Sequence, residues 1–439
     1  MHKPELLVPA GNLEKFRTAL LYGANAVYLG GEALNLRASS AGLGKQDLIQ
    51  AVQEAKALNV SIYYCLNSFP RQEDLAELPG IIEDVASCDI QAFIVADPGV
   101  IRLARRYAPD IPLHLSTQAN TSNSSAVDFW LDQGVSRINL ARELSCPEVE
   151  SIQNDLQAAD KHLELEMFVH GAMCLAISGK CLLSSWLNKR PANLGRCTQP
   201  CRFEYRALNS MTKAELIVEE ALRPGEAMWR VQEGERFSSF WSPDDLCLLP
   251  YLPWFIRHKI RALKIEGRMK SAVYVAHTAD VYSTALKLLT EQQTDAEQLA
   301  PEQSSFDYAP FLRELSAISV RPLSTGFFLP DKRLHIADTA IEGATLSHAG
   351  QQARILAKVL EPGQTVGSWV IDIKDNWENT TNIELVLPGM KRPVLTAKDY
   401  GLENQRGEWT GSVRNGTRAT LRTDFAELRP GIFIRDALI

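Results

Sequence analysis

Four cysteines lie close together near the middle of this 439-residue chain, at Cys174, Cys181, Cys197 and Cys201. They are half of the eight cysteines in the sequence, and six, fifteen and three residues separate successive members. Cysteines at this density bind iron–sulfur clusters or zinc, or form disulfides in an oxidising compartment. The segment that carries them is where the sequence most directly predicts chemistry.

The spacing of the four cysteines favours an iron–sulfur cluster. A zinc ribbon usually has two Cys-x-x-Cys pairs, and this segment has none. Its cysteines are more widely spaced, and neighbouring glycines and Pro200 let the backbone turn the sulfurs toward one point. Zinc, and unliganded core or redox cysteines, remain open alternatives.

The bulk properties of the chain predict a cytoplasmic location without membrane attachment. The N-terminus has no basic segment followed by an apolar run, and no stretch reaches the ~18 apolar residues that span a bilayer. In the reducing cytoplasm disulfides are disfavoured. The net charge of −7 gives no overall positive field, so any contact with RNA must depend on a local basic patch.

Predicted strands and helices alternate from residue 4 to about 285. The strands are ELLVPAG (5–11), AVYLGG (26–31), VSIYYCLN (60–67), QAFIVAD (91–97), PLHLSTQ (112–118), RINLAR (137–142), LELEMFVHG (163–171) and ALKIEG (262–267). Eight β-then-α units predict an α/β fold, a (β/α)8 TIM-like barrel. A doubly wound open sheet is disfavoured because the first strand-to-helix turn, PAGNLEK, lacks the glycine spacing of a dinucleotide site.

The predicted organisation has three parts. The barrel is expected to cover residues 1–290, with a β excursion at about 202–242 after strand seven, and then a helix within 242–259 that has Cys247 at its start. A linker and barrel-packing segment is expected at 291–350. Short β runs separated by Gly, Pro, Asn and Asp predict a small C-terminal antiparallel β-barrel domain at 351–439, which either binds oligonucleotides or packs against the barrel.

Polar residues gather at the C-terminal ends of the predicted strands, where barrel enzymes carry their chemistry. These residues are Asn67, Asp97, Gln118, Asn120, Arg142, Glu143, His170, Glu266 and Arg268. The cysteine segment directly follows strand seven. It is therefore expected to lie over the mouth of the barrel.

His170 and Glu166, both on strand seven, are candidates for acid–base catalysis, as are Glu143 and Glu266. A neutral imidazole can transfer a proton near pH 7. A lone histidine is as well explained as a core residue with satisfied hydrogen bonds.

Charged residues follow strands six and eight as two adjacent pairs, Arg142 with Glu143 and Glu266 with Arg268. Each pair is either a structural ion pair or a source of guanidinium groups that clamp a carboxylate substrate. Lys270 is a further candidate for substrate binding.

Basic residues within the cysteine segment are candidates for binding RNA. Lys189, Arg190 and Arg196 lie there, with Trp186 and Phe203 interleaved or close by. Basic and aromatic side chains together suit a stacked, flipped base and its phosphates. The alternative is a solvated charged surface.

Several segments resemble a known family. The run from Glu166 through Gly171, Cys174, Gly179 and Cys181 to Ser184 is similar to the signature of the collagenase-like peptidase family of unassigned type, number 32. HLSTQAN (114–120), ARELS (141–145), LKIEGRMKS (263–271) and the opening PELLVPAGNLEKFRTALLYGANAVYLGG are similar as well. The resemblance covers about the first 330 residues.

The resemblance is strongest to the branch of the family that makes 5-hydroxyuridine at the wobble position of tRNA. It implies a tRNA-modifying enzyme whose four cysteines hold a four-iron four-sulfur (4Fe-4S) cluster, with Cys247 as an alternative to Cys201. It also implies an oxygen-independent hydroxylation linked to prephenate, a dicarboxylate that the arginines would bind. Whether a partner subunit is required stays open.

Other functions remain open beside this one. The family name implies a peptidase, which the sequence supports poorly because it contains no H-E-x-x-H or G-x-S-x-G motif. Relatives that hydroxylate ribosomal RNA or a quinone precursor are closer rivals. A binding or assembly protein with a purely structural cluster is the alternative outside catalysis.

Overall fold

The structure is a computed structural model, and the part of the chain it describes leaves out most of the cysteine segment. It describes residues 3–31, 42–174, 176–177, 180–181, 183–184, 197, 201, 217–219, 228–230, 232–233, 238–239, 244–291, 306–319, 321–329 and 353–437. Lys189, Arg190 and Arg196 lie outside these residues.

Eight parallel strands form a closed barrel, which confirms the predicted fold. They are β1 (Glu5–Pro9), β2 (Ala26–Leu29), β3 (Ser61–Leu66), β4 (Ala92–Val95), β5 (Leu113–Leu115), β6 (Arg137–Asn139), β7 (Glu164–Ala172) and, later in the chain, β13 (Ala262–Ile265). Each pairs with the next, and β13 pairs with both β7 and β1, which closes the sheet. All five residues of β1 are buried, as expected for a parallel strand covered on both faces.

Helices cover the outside of the barrel. They are α1 (Leu13–Leu21), α2 (Lys45–Ala57), α3 (Leu78–Ala86), α4 (Pro98–Tyr107), α5 (Ser124–Asp132), α6 (Cys146–Ala158), α7 (Leu252–Arg257), α8 (Ala272–Glu291) and α9 (Ala309–Ile318). Asn12 caps α1, because its side chain accepts a hydrogen bond from the backbone of Lys15 at 2.9 Å. Within the described chain, no helix is long and apolar enough to cross a membrane.

The excursion after β7 contains short antiparallel pairs, which confirms its predicted β character. β8 (Ile217–Glu219) pairs with β9 (Met228–Arg230), and β10 (Gln232–Glu233) pairs with β11 (Ser238–Ser239). The expected helix start at Cys247 is wrong. That residue ends β12 (Asp245–Cys247), which runs antiparallel to the end of β7 and parallel to β14 (Leu323–Ser324).

The C-terminal part is a nearly closed antiparallel sheet. Its strands are β15 (Ile355–Pro362), β16 (Ser368–Ile373), β18 (Ile383–Val386), β19 (Val394–Leu395), β20 (Tyr400–Glu403), β22 (Arg418–Thr423) and β23 (Phe433–Asp436), in the spatial order β19-β18-β23-β15-β16-β22-β20. A further pair, β17 (Trp377–Glu378) with β21 (Ser412–Val413), lies beside it.

A buried ionic network joins this sheet to two helices of the barrel. Arg435 on β23 bonds Glu314 on α9 at 2.5 Å and Glu384 on β18 at 2.5 Å. Arg392 bonds the same Glu314 at 3.0 Å and Asp280 on α8 at 2.7 Å. Of the two roles predicted for this domain, the structure shows packing against the barrel, and RNA contact stays a prediction.

His277 on α8 is a pH-sensitive member of the same network. Arg435 donates to Nε2 of His277 at 3.3 Å, so the ring proton lies on Nδ1, which donates to the carbonyl of Val273 at 2.9 Å. Burial lowers the pKa of His277 to about 4. The imidazole is therefore neutral in the folded protein at pH 7, and its protonation would place a third positive charge beside Arg435 and Arg392.

Acidification is expected to destabilise the protein through His277. Between an unfolded pKa of ~6.5 and the folded value, the unfolded chain binds a proton that the folded chain does not, so stability falls as pH falls. The free energy of unfolding, measured with urea, should fall between pH 8 and pH 5 in the wild type. We expect this fall to be smaller by about 2 kcal/mol in His277→Gln. His162→Gln, at a highly exposed site, is the control and should change nothing. An unaltered pH dependence in His277→Gln would contradict this assignment.

Candidate functional site at the barrel mouth

Arg142 connects three strands at the C-terminal end of the barrel. It follows β6, donates from Nη1 to the carbonyl of Ala172 on β7 at 2.9 Å, and lies 3.5 Å from Oε2 of Glu266, which follows β13. Its guanidinium lies over the ring of Phe168, 3.7 Å from the centroid. The ion pair therefore joins one member of each predicted pair, Arg142 and Glu266, and not the residues that are adjacent in sequence. Glu143, predicted as a catalytic candidate and as the partner of Arg142, is exposed, and the carboxylate that pairs with Arg142 is that of Glu266.

Arg268 and Lys270 lie on the segment that follows β13. The guanidinium of Arg268 is buried, 5.6 Å from the centroid of the Tyr28 ring in the barrel interior. Lys270 is half-buried, with its amine 3.9 Å from Asp245 and 5.3 Å from the ring centroid of Tyr274. The two residues add positive charge on the β13 side of the mouth.

Several charged groups act on the buried thiol of Cys65. Cys65, on β3, belongs to the apolar cluster inside the barrel, and burial raises the pKa of its thiol. Arg268 and Lys264 act to lower this pKa, and Glu166 and Glu266 act to raise it.

Uncharged polar side chains end or follow β3, β5 and β6 at the same end of the barrel, and we term this set the amide floor: Asn67, Ser68, Gln118 and Asn139. Asn67 donates from Nδ2 to the hydroxyl of Ser116 at 3.3 Å, a link between the ends of β3 and β5. Asn120, predicted as a substrate contact, has a left-handed backbone (φ 55°) that ends a 3₁₀ turn over Thr117–Ala119. Asp97 accepts hydrogen bonds from Gly99 and Val100, so it caps α4.

Glu166 belongs to an ion network inside the barrel. Its Oε1 accepts a hydrogen bond from Nζ of Lys264 at 2.7 Å, and its Oε2 lies 3.7 Å from Arg137. Arg137 also bonds Glu5 at 2.9 Å and Glu164 at 2.6 Å. Although burial acts to lower the pKa of Arg137, the carboxylates of Glu5 and Glu166 outweigh it and raise that pKa. Glu166 is thus held between two cations.

Sequence reasoning missed three members of this network: Glu5, Arg137 and Lys264. A signal was present, because each is a charged residue inside a strand of the predicted barrel, in ELLVP, RIN or ALKI. Buried charges in such strands require partners, and the closed barrel supplies them.

His170 lies beside Tyr282 in the core. Tyr282 donates to the carbonyl of Val169 at 2.9 Å, and its oxygen is 3.4 Å from Nδ1 of His170 and 3.8 Å from the sulfur of Cys247. Burial lowers the pKa of His170 to about 4 and raises the pKa of the Cys247 thiol to about 11. At neutral pH both groups are uncharged, as expected for core residues rather than for a reactive pair.

The four clustered cysteines are placed individually. Cys174, two residues beyond β7, is exposed, whereas Cys181, Cys197 and Cys201 are half-buried, and none of the four forms a disulfide. In the described ranges, no three His, Cys, Asp or Glu side chains are grouped closely enough to hold a metal ion. The donor chemistry suits a cluster, since four thiols free of disulfides follow the barrel strand that ends at the mouth.

Gly171 sets the direction in which β7 leaves the barrel. Its φ is +109°, and a Cβ at this position would lie 2.4 Å from the carbonyl oxygen of Glu266. We expect Gly171→Ala to cost about 2–5 kcal/mol in urea unfolding, because backbone strain and overlap add. Gly80→Ala, on the open surface of α3, is the matched control and should be neutral or slightly stabilising. Equal stability of the two variants would refute the steric argument.

Comparisons with known proteins give a consistent family result. Residues 11–337 match the model of Peptidase family U32. The chain is 37% identical to tRNA hydroxylation protein P of Escherichia coli K12 over 65% of this chain and 68% of the relative. It is 37% identical to tRNA hydroxylation protein P1 of Bacillus subtilis 168 over 74% and 71%. It is 30% identical to a protein named collagenase from Porphyromonas gingivalis W83 over 67% and 68%.

Proposed function

The chain belongs to peptidase family U32, and on that basis we propose that it is a tRNA-modifying enzyme that hydroxylates wobble uridine to 5-hydroxyuridine with a 4Fe-4S cluster. Relatives named for tRNA hydroxylation support RNA hydroxylation in general. The proposal depends mainly on the arrangement of polar groups at the mouth of the barrel. Two guanidinium groups and the amide floor lie at the strand ends from which the cysteine segment departs.

Cys174, Cys181, Cys197 and Cys201 are the proposed cluster ligands. Cys247 is less suited as a fourth ligand, because its side chain is fully buried and burial raises the pKa of its thiol to about 11. The half-buried Cys201 lies in the same segment as the other three. A bound cluster would supply electrons or activate an oxygen donor.

Arg142 and Arg268 are proposed to bind a small dicarboxylate co-substrate such as prephenate. Arg142 is pre-oriented by Ala172, Glu266 and the face of Phe168, so little side-chain freedom is lost when it binds an anion. Guanidinium groups suit carboxylates because their paired donors match the two oxygens. Glu266 acts in this proposal by positioning Arg142.

His170 is not proposed as the proton donor. Burial lowers the pKa of His170 to about 4, so its imidazole is neutral at pH 7 and is not the protonated form that a general acid needs. Its contacts with Tyr282 and Tyr274 suit a role in fixing the end of β7, directly before the cysteine segment.

A peptidase is the second candidate, because one relative is named collagenase. Cys247 faces His170 across the β7–β12 pair. A nucleophilic cysteine requires access and a lowered thiol pKa. Cys247 has neither, so the described residues offer this candidate little support.

Nucleoside mass spectrometry of tRNA tests the proposal. A strain that lacks this chain should lose 5-hydroxyuridine derivatives and regain them on complementation. Cultures with and without oxygen are both needed, since an oxygen-dependent hydroxylase would mask the loss. Unchanged derivatives in both conditions would overturn wobble hydroxylation and direct attention to ribosomal RNA or quinone precursors.

A further inference from the structure

Asn139 is a buried amide whose hydrogen-bonding capacity is unused. It ends β6 with 2% of its surface exposed, and neither its Oδ1 nor its Nδ2 has a hydrogen-bond partner in the part of the chain that the structure describes. Side chains two residues apart on a strand share a face. Because Arg137 points into the barrel toward Glu5 and Glu166, Asn139 points inward as well, nearer the mouth.

Other polar atoms at the same end of the barrel are buried and lack a hydrogen-bond partner among the described residues. They are Oδ1 of Asn67, Oγ of Ser68, Oε1 of Gln118, Nδ1 of His114, Oγ1 of Thr121 and Nε of Arg142. Oε2 of Glu166 accepts no hydrogen bond from a described residue either, although it lies 3.7 Å from Arg137. Glu166 lies directly opposite Asn139 in the β6–β7 register. Each unsatisfied buried polar group costs about 1–3 kcal/mol. Several of them at the C-terminal end of one barrel indicate a place for a ligand.

The chemistry of these atoms limits what the ligand can be. The side-chain carbonyl oxygens of Asn67, Gln118 and Asn139 can only accept hydrogen bonds, whereas Nδ2 of Asn139 donates. The ligand must bring N–H or O–H donors, together with an acceptor for Nδ2 of Asn139. The imide edge of uracil has this pattern, since its N3–H donates and its adjacent carbonyl accepts.

We propose that the amide floor binds the uracil ring of a flipped-out nucleotide, with Asn139 making paired hydrogen bonds to N3–H and the neighbouring carbonyl. The inference rests on the proposed function and assigns the uridine its place within that site. The base lies deep, between β3, β5 and β6. The anionic co-substrate lies nearer Arg142 and Arg268, where the donors are cationic.

Asn139→Leu separates recognition from a merely structural role. Leucine has the same branched shape and the same number of side-chain heavy atoms as asparagine, and it removes both polar atoms, so a structural asparagine with unsatisfied bonds would be replaced with neutral or higher stability and full activity. We expect 5-hydroxyuridine in tRNA from a complemented deletion strain to fall by about 10- to 100-fold, as a paired base contact predicts. The urea midpoint of the purified variant should equal or exceed that of the wild type.

Two further variants complete the experiment. Asn139→Asp keeps the shape and an acceptor but loses the donor, so it should also lower 5-hydroxyuridine, and it serves as the test if the leucine variant does not fold. Asn379→Leu in the C-terminal domain is the matched control, because its Oδ1 is likewise buried without a hydrogen-bond partner among the described residues, and modification should stay at the wild-type level.

The outcomes distinguish the two proposals. If the wild-type chain restores 5-hydroxyuridine and folded Asn139 variants restore it equally well, the assignment of the base to the amide floor is overturned while uridine hydroxylation stands. If the wild-type chain restores none, the proposed function itself fails, and this inference fails with it.

Discussion

Cys174→Ser is expected to remove the visible absorbance of the protein and its ability to restore 5-hydroxyuridine together. The side chain of Cys174 is exposed, so serine should not disturb packing. Replacing groups outside the ligand set already costs about 10- to 100-fold at metal sites, and loss of a ligand should cost more. Iron and sulfide content of the anaerobically purified variant, beside tRNA nucleoside analysis, measures both effects. A colourless variant with full activity would rule out the cluster mechanism.

Cys247→Ala is the matched control for the ligand set. This residue is buried against Tyr282, and its loss should leave iron content and activity near the wild-type level with only a small loss of stability. A colourless Cys247→Ala variant would instead make Cys247 the fourth ligand and Cys201 a structural residue.

Arg137→Met is expected to destabilise the fold by about 3–5 kcal/mol, or to prevent folding. Its guanidinium lies between Glu5, Glu164 and Glu166 in the barrel interior, and removing one partner of a buried ion pair leaves uncompensated charge. Since domains of this kind are stable by only about 5–15 kcal/mol, this is a large fraction of the total. Urea unfolding monitored by circular dichroism measures the loss.

Arg17→Met is the control with the same substitution at the surface. Arg17 bonds Glu54 at 2.7 Å, but half of its side chain is exposed, so solvent screens the pair and the expected loss is below about 1 kcal/mol. Adding Glu5→Gln to Arg137→Met should recover part of the stability, because it removes one of the buried carboxylates that the first substitution leaves without its guanidinium partner. Equal losses in the Arg137 and Arg17 variants would contradict the argument from burial.

The peptidase hypothesis and the hydroxylase hypothesis place different demands on His170. A peptidase would need it next to an accessible nucleophile, whereas the structure buries it between Tyr274 and Tyr282. The same burial explains why a histidine at the end of a barrel strand, which the sequence presented as a catalytic candidate, is here better described as a core residue.

Local sequence was sufficient for the barrel strands and for several helix ends. The eight parallel strands lie where their apolar runs predicted them, because strands covered on both faces are apolar at most of their positions. Asn12 directly precedes the helix Leu13–Leu21, and asparagine is a preferred N-cap residue, so its role also follows from local sequence. Asp97 before Pro98 also carried a capping signal, and assigning it to the mouth overlooked that signal.

Contacts between distant parts of the chain were decided only by the tertiary structure. Arg142 pairs with Glu266, 124 residues away, rather than with its neighbour Glu143, because closure of the barrel brings the ends of β6 and β13 together. Cys247 lies on a strand because the edge of β7 accepts a partner there, which no local pattern encodes. The residue types at the mouth and the cysteine spacing are thus properties of the sequence. Which of those side chains are neutralised by a partner, and which amides are left for a ligand, depends on burial and pairing that exist only in the folded barrel.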